Sequence, residues 1–225
     1  MMAKNEERDD GGYYDKLHEL LLKLVSHIPP SREGKATSPH QRAKVIARTA
    51  ALKAAAYSAG LALPPGPLGL FTILPDLKII WGIQQQVVVD IAACYGKSAS
   101  VTREVMIYCL FRHAAAILVR DLVVRVGERL LIRRVALRTI QALLGRIGIR
   151  LSQKIIGSTV SRWIPFVGAA GIGVYSYFDT QAVAKTAMEL FPGDFQIEEV
   201  ETSLLPTLHD ELASEVTMTD GKRDL

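Results

Sequence analysis

The sequence predicts an all-α fold: a single helical bundle of about seven helices built around two apolar hairpins with Pro/Gly turns. Three observations predict it. Apolar residues recur at helical spacing through most of the chain, and no segment keeps a sustained apolar/polar alternation. Pro29-Pro30, the cluster Pro64-Pro65-Gly66-Pro67, and Pro192-Gly193 punctuate the periodic stretches. The 225 residues are 49% hydrophobic and 22% charged, a balance that excludes a disordered chain. Cys94 and Cys109 are the two cysteines, which excludes a disulfide scaffold and indicates a reducing compartment.

The first helix is read from Leu17, Leu20, Leu21, Leu24, Val25 and Ile28, which follow i, i+3, i+4, i+7, i+8, i+11 from about Tyr14 until Pro29-Pro30 stops them. A polar loop over 29–38 follows. Ser38 suits an N-cap and Pro39 the first helical position of a second helix reaching about Leu63. That helix begins basic (Arg42, Lys44, Arg48, Lys53) and becomes Ala-rich, which suits close packing. After the Pro/Gly cluster, Pro75 again fits a first helical position, with Asp76 in the first turn and Gly96 as the C-terminal glycine. The stretch between them is apolar on almost every side and reads as a central buried helix.

Ser100 is expected to cap a helix over 101–126, with Glu104 near its start. A further helix is expected over 127–144. Gly145 and Gly148 mark a break before another at 149–163. Pro165 opens the last long helix, which reaches about Phe191. The β-branched runs Val87–Val89 and Val123–Val126 are the only hints of strand.

Two uncharged runs raise the membrane question. Ala54 to Pro75 is long enough to cross a bilayer core, but the Pro/Gly cluster sits at its centre, where a spanning helix loses hydrogen bonds in lipid. Trp163 to Phe178 is shorter and carries Pro165, Gly168, Gly171 and Gly173. Both read as helical arms meeting at apolar turns, Pro64, Pro65, Gly66, Pro67, Leu68, Leu70 and Phe71 in one, Pro165, Phe166 and Gly168 in the other. The polar N-terminus lacks the apolar core of a secretory signal, so the expected location is cytoplasmic and peripheral to the inner face of the membrane.

The net charge of +4 conceals a split. Residues 193–225 hold nine acidic and two basic side chains, a net of −7, and residues 1–11 hold four and two, a net of −2. Residues 12–192 therefore carry +13. The division expected is a disordered polar N-terminus over 1–11, a helical domain over 12–192, and a mostly disordered acidic tail over 193–225. Arg129, Arg133, Arg134, Arg138, Arg146, Arg150, Lys154 and Arg162 are interleaved with Leu, Ile and Val, in the pattern of two basic amphipathic helices. Such helices suit an anionic membrane surface, where each nearby charge adds about 1 kcal/mol. They carry no aromatic side chains for base stacking, so no nucleic-acid partner is expected. A competing reading pairs the basic face with the chain's own acids, through a short amphipathic helix within 197–217.

Leu63-Pro64-Pro65-Gly66-Pro67-Leu68-Gly69-Leu70, then Pro75-Asp76-Leu77, then Gln84, then the helix end Ala92-Ala93-Cys94-Tyr95-Gly96, follow one another in an order and spacing that resembles the EcsC protein family. The likeness continues through Ile164-Pro165-Phe166-Val167-Gly168-Ala169 and the closing Ala187 to Phe191, and covers roughly 50–192. The resemblance implies a helical intracellular bacterial protein of a group named from an operon that also encodes an ABC transporter. It implies no active-site residue and no cofactor.

The remaining chemistry is sparse. Asp76, Gln84, Asp90 and Asp179 are polar residues in apolar helices and so candidates for buried function. On one helix Asp76 and Asp90 lie about 21 Å apart, too far for one metal or one acid/base pair, so a two-carboxylate mechanism needs Asp179. Cys109 and His113 share the i, i+4 spacing of zinc ligands, yet no fourth ligand accompanies them. A core cysteine beside a satisfied histidine is the expectation, and no metal. Gly96-Lys97-Ser98 lacks the upstream glycine of a phosphate loop, and no GxSxG, HExxH or EF-hand pattern appears. The function expected is a non-catalytic, membrane-associated accessory protein linked to transport or envelope homeostasis, whose partners are an anionic membrane surface or lipid and a membrane transporter or other protein. The alternatives are a soluble helical protein binding a partner or an apolar ligand, and a hydrolase using Asp76, Asp90 or Asp179.

Overall fold

The structure, a computed structural model, describes residues 16–61, 69–127, 129–157 and 165–199. The described chain is mostly helical. Helix α1 covers 16–26, α2 Pro39–Leu61, α3 Gly69–Cys94, α4 Arg103–Val119, α5 Leu137–Gly157 and α6 Pro165–Leu190. A small sheet is added by β1 (Val123–Val126), β2 (Arg129–Arg134) and β3 (Asp194–Glu199). The fold is thus helical in the main, with a three-stranded sheet that the all-α reading did not include.

Several elements follow local rules. Arg42 N–H donates to the Ser38 carbonyl at 3.1 Å, which places Ser38 at the N-cap of α2 and Pro39 in its first turn. Gly96 ends α3 at φ +69. Its N–H donates to the Ala93 carbonyl at 2.8 Å and Lys97 N–H to the Ala92 carbonyl at 2.8 Å, the two bonds of a Schellman cap. Pro165 opens α6, and Phe191-Pro192-Gly193 closes it.

Four expectations are corrected. Helix α3 begins at Gly69, so Pro75 lies inside it and Asp76 is past the first turn. One missing proline N–H is tolerated in a long helix held by tertiary packing. Helix α4 is capped by Thr102, whose Oγ1 accepts from Val105 N–H at 3.4 Å, and Ser98–Ser100 is a short 3-10 turn instead of the cap. Glu104 keeps its place in the first turn. Helix α5 passes through Gly145 and Gly148 unbroken, because both face α1: a side chain at Gly148 would touch Leu17 and Leu21, and one at Gly145 would touch His18.

The fourth correction is the largest. A β-hairpin replaces the end of the expected 101–126 helix and the start of the expected 127–144 helix, with β1 antiparallel to β2 in the register Val123↔Ile132 to Val126↔Arg129. Gly127 at φ +64 occupies the first position of the two-residue turn, where hairpin turns require positive φ. β3 then joins the other edge of β2 in parallel, from Arg129↔Asp194 to Arg134↔Glu199. Residues 197–199 are therefore strand, not part of a helix, and 200–217 lie outside the described residues.

Helix α3 forms the centre of the core. Trp81, Gln84, Gln85 and the run Val87–Cys94 are buried, with α2, α4 and α6 packed around them. Trp81 meets Phe111 of α4 edge to face at 5.9 Å. Gln85 Nε2 donates to the carbonyls of Leu24 and His27, tying α3 to the end of α1. Helices α2 and α6 cross at Gly173, where a Cβ would lie 3.1 Å from the Ala55 carbonyl oxygen and 3.2 Å from Ala59 Cβ. Ser58 and Ser176 share a 2.6 Å hydrogen bond in the same seam.

Candidate functional site

Of the four buried polar candidates, two come together. Gln84 Nε2 on α3 donates to Asp179 Oδ2 on α6 at 2.7 Å and to Thr180 Oγ1 at 3.4 Å. The other carboxylate oxygen of Asp179 meets His113 Nε2 of α4 at 2.6 Å. The result is a polar tie between three helices, with Gln84 and Thr180 buried and the His–Asp pair at its rim. Both carboxylate oxygens are engaged, so the group orients an imidazole and joins α4 to α6.

Asp90 does different work. It is 7% exposed and accepts three hydrogen bonds at Oδ1: from Ser31 Oγ at 2.9 Å, Arg32 N–H at 2.7 Å and Gln86 Nε2 at 2.9 Å. The carboxylate pins the 29–38 loop to α3. By helical rise, Asp179 meets α3 about 9 Å along the axis from Asp90 and about 12 Å from Asp76. The side chain of Asp76 lies outside the described residues, and Asp90 and Asp179 engage separate sets of partners. An open depression at the start of α2 holds Arg42, which donates to Glu33 at 2.9 and 2.6 Å. That bidentate contact holds the Glu33 carboxyl below its ordinary range.

His113 and Cys109 are not joint ligands. Cys109 is fully enclosed and burial pushes its thiol up to about 12, while His113 turns to Asp179. Burial likewise raises Cys94. Among the described residues, no group of three or more His, Cys, Asp or Glu side chains could hold a metal ion.

The basic residues divide between two elements instead of lying on two helices. Arg129, Arg133 and Arg134 are on β2. Arg138, Arg146, Arg150 and Lys154 are on α5, and Arg162 lies outside the described residues. On α5, Ile140, Leu143, Leu144 and Ile147 are buried, while Arg138, Gln141 and Ile149 face outward. From Arg138 to Lys154 this basic helix rises about 24 Å along its axis.

Pro64, Pro65, Gly66, Pro67 and Leu68 lie outside the described residues, whereas Leu70 and Phe71 stand in the first turn of α3. Pro165, Phe166 and Gly168 stand in the first turn of α6. Just beyond them Ile172, Val174, Tyr175 and Phe178 are exposed, Phe178 by 65%. At 100° per residue they span an arc of about 160°, on the side of α6 away from the Gly173–Ser176 seam. Tyr57 and Ile79 are exposed on α2 and α3. The apolar candidates read from the sequence lie in the turns, and the exposed residues of 172–178 follow directly after them on α6. The uncharged run Trp163 to Phe178 was the available signal. Among the described residues, no helix is long and apolar enough to cross a membrane.

No family model, curated protein or solved structure matches the chain.

Proposed function

We propose that this protein is a non-catalytic, membrane-associated accessory protein of the EcsC type that seats the apolar arc of α6 in the interfacial layer of an anionic bilayer. The single observation that carries the reading is the exposure of Ile172, Val174, Tyr175 and Phe178 on one side of α6, within a stretch that has no charged side chain from 172 to 178. Soluble monomers seldom leave such a contiguous patch uncovered, and a Phe transferred fully from water gains about 1.5–3 kcal/mol. Basic residues along α5 supply the second attraction, since one apolar anchor alone gives marginal binding.

The reading places the contact on the cytoplasmic face, with salt-sensitive attraction from α5 and shallow insertion from α6. Co-sedimentation with vesicles of phosphatidylcholine and phosphatidylglycerol tests it. Binding that weakens with salt but is abolished only by polar substitutions in the arc is the expected result. Recovery of the chain wholly in the supernatant at low salt would end the reading.

A further inference from the structure

The segments 129–134 and 194–199 meet as complementary strings of charge. In the parallel ladder Arg129 stands opposite Asp194, Arg133 opposite Glu198 and Arg134 opposite Glu199. Arg133 Nε lies 3.8 Å from Glu198 Oε2, buried and without a hydrogen bond. Lys97 Nζ lies 3.3 Å from Asp194 Oδ1. Strand alternation sets Arg129, Leu131 and Arg133 on the outer face beside Asp194, Gln196 and Glu198, while Leu130, Ile132 and Phe195 turn to the core. From β1, Val124 and Val126 stand opposite Leu131 and Arg129 and join the outer face.

Guanidinium groups interleaved with aliphatic side chains are the composition of an interfacial membrane contact. Here each outer arginine has an acid of the tail at the adjacent ladder position. Such surface pairs add little to folding, and the ladder together with Phe195, 5.8 Å from Phe191, already holds β3 in place. What the acids change is the field over the sheet.

We propose that Asp194 and Glu198 are built-in competitors for anionic phospholipid headgroups at Arg129 and Arg133, so that the outer face of the sheet is a second membrane contact whose strength the chain's own acids set. The inference rests on the membrane reading above but on different residues, since the sheet and the arc lie at opposite ends of α6. A lipid surface fits better than nucleic acid because the outer face offers Val124, Val126 and Leu131 and no aromatic ring for base stacking.

The test uses the full chain with vesicles of phosphatidylcholine, with and without phosphatidylglycerol, at low and at physiological salt. The double variant Asp194→Asn, Glu198→Gln should bind the anionic vesicles at least about tenfold more tightly than the wild type, at about fivefold per neutralised acid in favourable geometry. The gain should disappear at higher salt and on adding Arg129→Gln and Arg133→Gln. Asp194→Asn alone, at a side chain 88% exposed, should give about fivefold and keeps the test valid if the double variant misfolds. Wild type that binds through the arc, with double and single variants binding no better, would overturn this inference and leave the membrane reading intact. A gain equal on uncharged vesicles, or seen only on duplex DNA, would also overturn it. If no chain binds any vesicle, both proposals fail.

Discussion

His113 Nε2 and Asp179 Oδ1 lie 2.6 Å apart, and Gln84 Nε2 holds the other oxygen of the same carboxylate at 2.7 Å. One side chain of α6 therefore joins α3 and α4 immediately beside the exposed apolar arc. Replacing Asp179 by Ala leaves two donors without their acceptor and should cost about 1–3 kcal/mol in urea unfolding. Asp179→Asn, which keeps one acceptor, should cost less. A pair that serves only the surface would show no loss in either variant.

Asp90 is the anchor of the 29–38 loop through three hydrogen bonds to one oxygen. Asp90→Ala should lower stability by about 1–3 kcal/mol. Amide exchange at Arg32 should accelerate more than at Val105 in α4. Equal acceleration at both amides would mean that the carboxylate supports the whole core and not the loop.

The thiols give a pH prediction with a definite sign. Cys109 rises from its ordinary 9.0 to about 12 because burial penalises the thiolate. Above pH 9 the unfolded chain loses a proton that the folded chain keeps, so stability falls as pH rises from 9 towards 12 and is fully present below 9. Cys94 shifts in the same direction. Native protein should resist a thiol reagent at neutral pH and react at both cysteines once unfolded in urea. Fast labelling of the native chain would contradict this burial.

Gly173 lets α2 and α6 approach closely, with backbone 3.1 Å from where its Cβ would sit. Gly173→Val should lower stability by about 1–3 kcal/mol through overpacking. Gly171, where a Cβ meets nothing within 4 Å, should accept Ala with little change, and thermal unfolding separates the two. Equal effects at both positions would place the close crossing elsewhere.

Local signals carried most of the helical fold. Ser38-Pro39, Gly96 and Pro192-Gly193 mark boundaries by their own backbone chemistry, and the structure places helix ends beside them. The sheet was harder to read because its residues satisfy two patterns. Arg-Leu-Leu-Ile-Arg-Arg fits a basic helix as well as a strand when taken alone. The deciding features are Val123–Val126, the Gly127 turn, and the apolar positions 195 and 197 of the tail, and the last pairs with β2 across some 65 residues of sequence. Pro75 was misleading for the opposite reason: a proline that suits a helix start also sits inside a helix that packing sustains. For the candidate site, Gln84 and Asp179 were legible as polar residues in apolar helices, but their union with His113 depends on how α3, α4 and α6 pack.

The central claim is that the arc of Ile172, Val174, Tyr175 and Phe178 enters a membrane interface, and the double variant Ile172→Asp, Phe178→Asp tests it most directly. Both side chains are exposed, so the fold should keep its thermal midpoint. Measured by co-sedimentation with phosphatidylglycerol-containing vesicles at low salt, the wild type should pellet with the vesicles and the variant should remain largely in the supernatant. A variant that pellets as fully as the wild type, with its fold intact, would contradict the account.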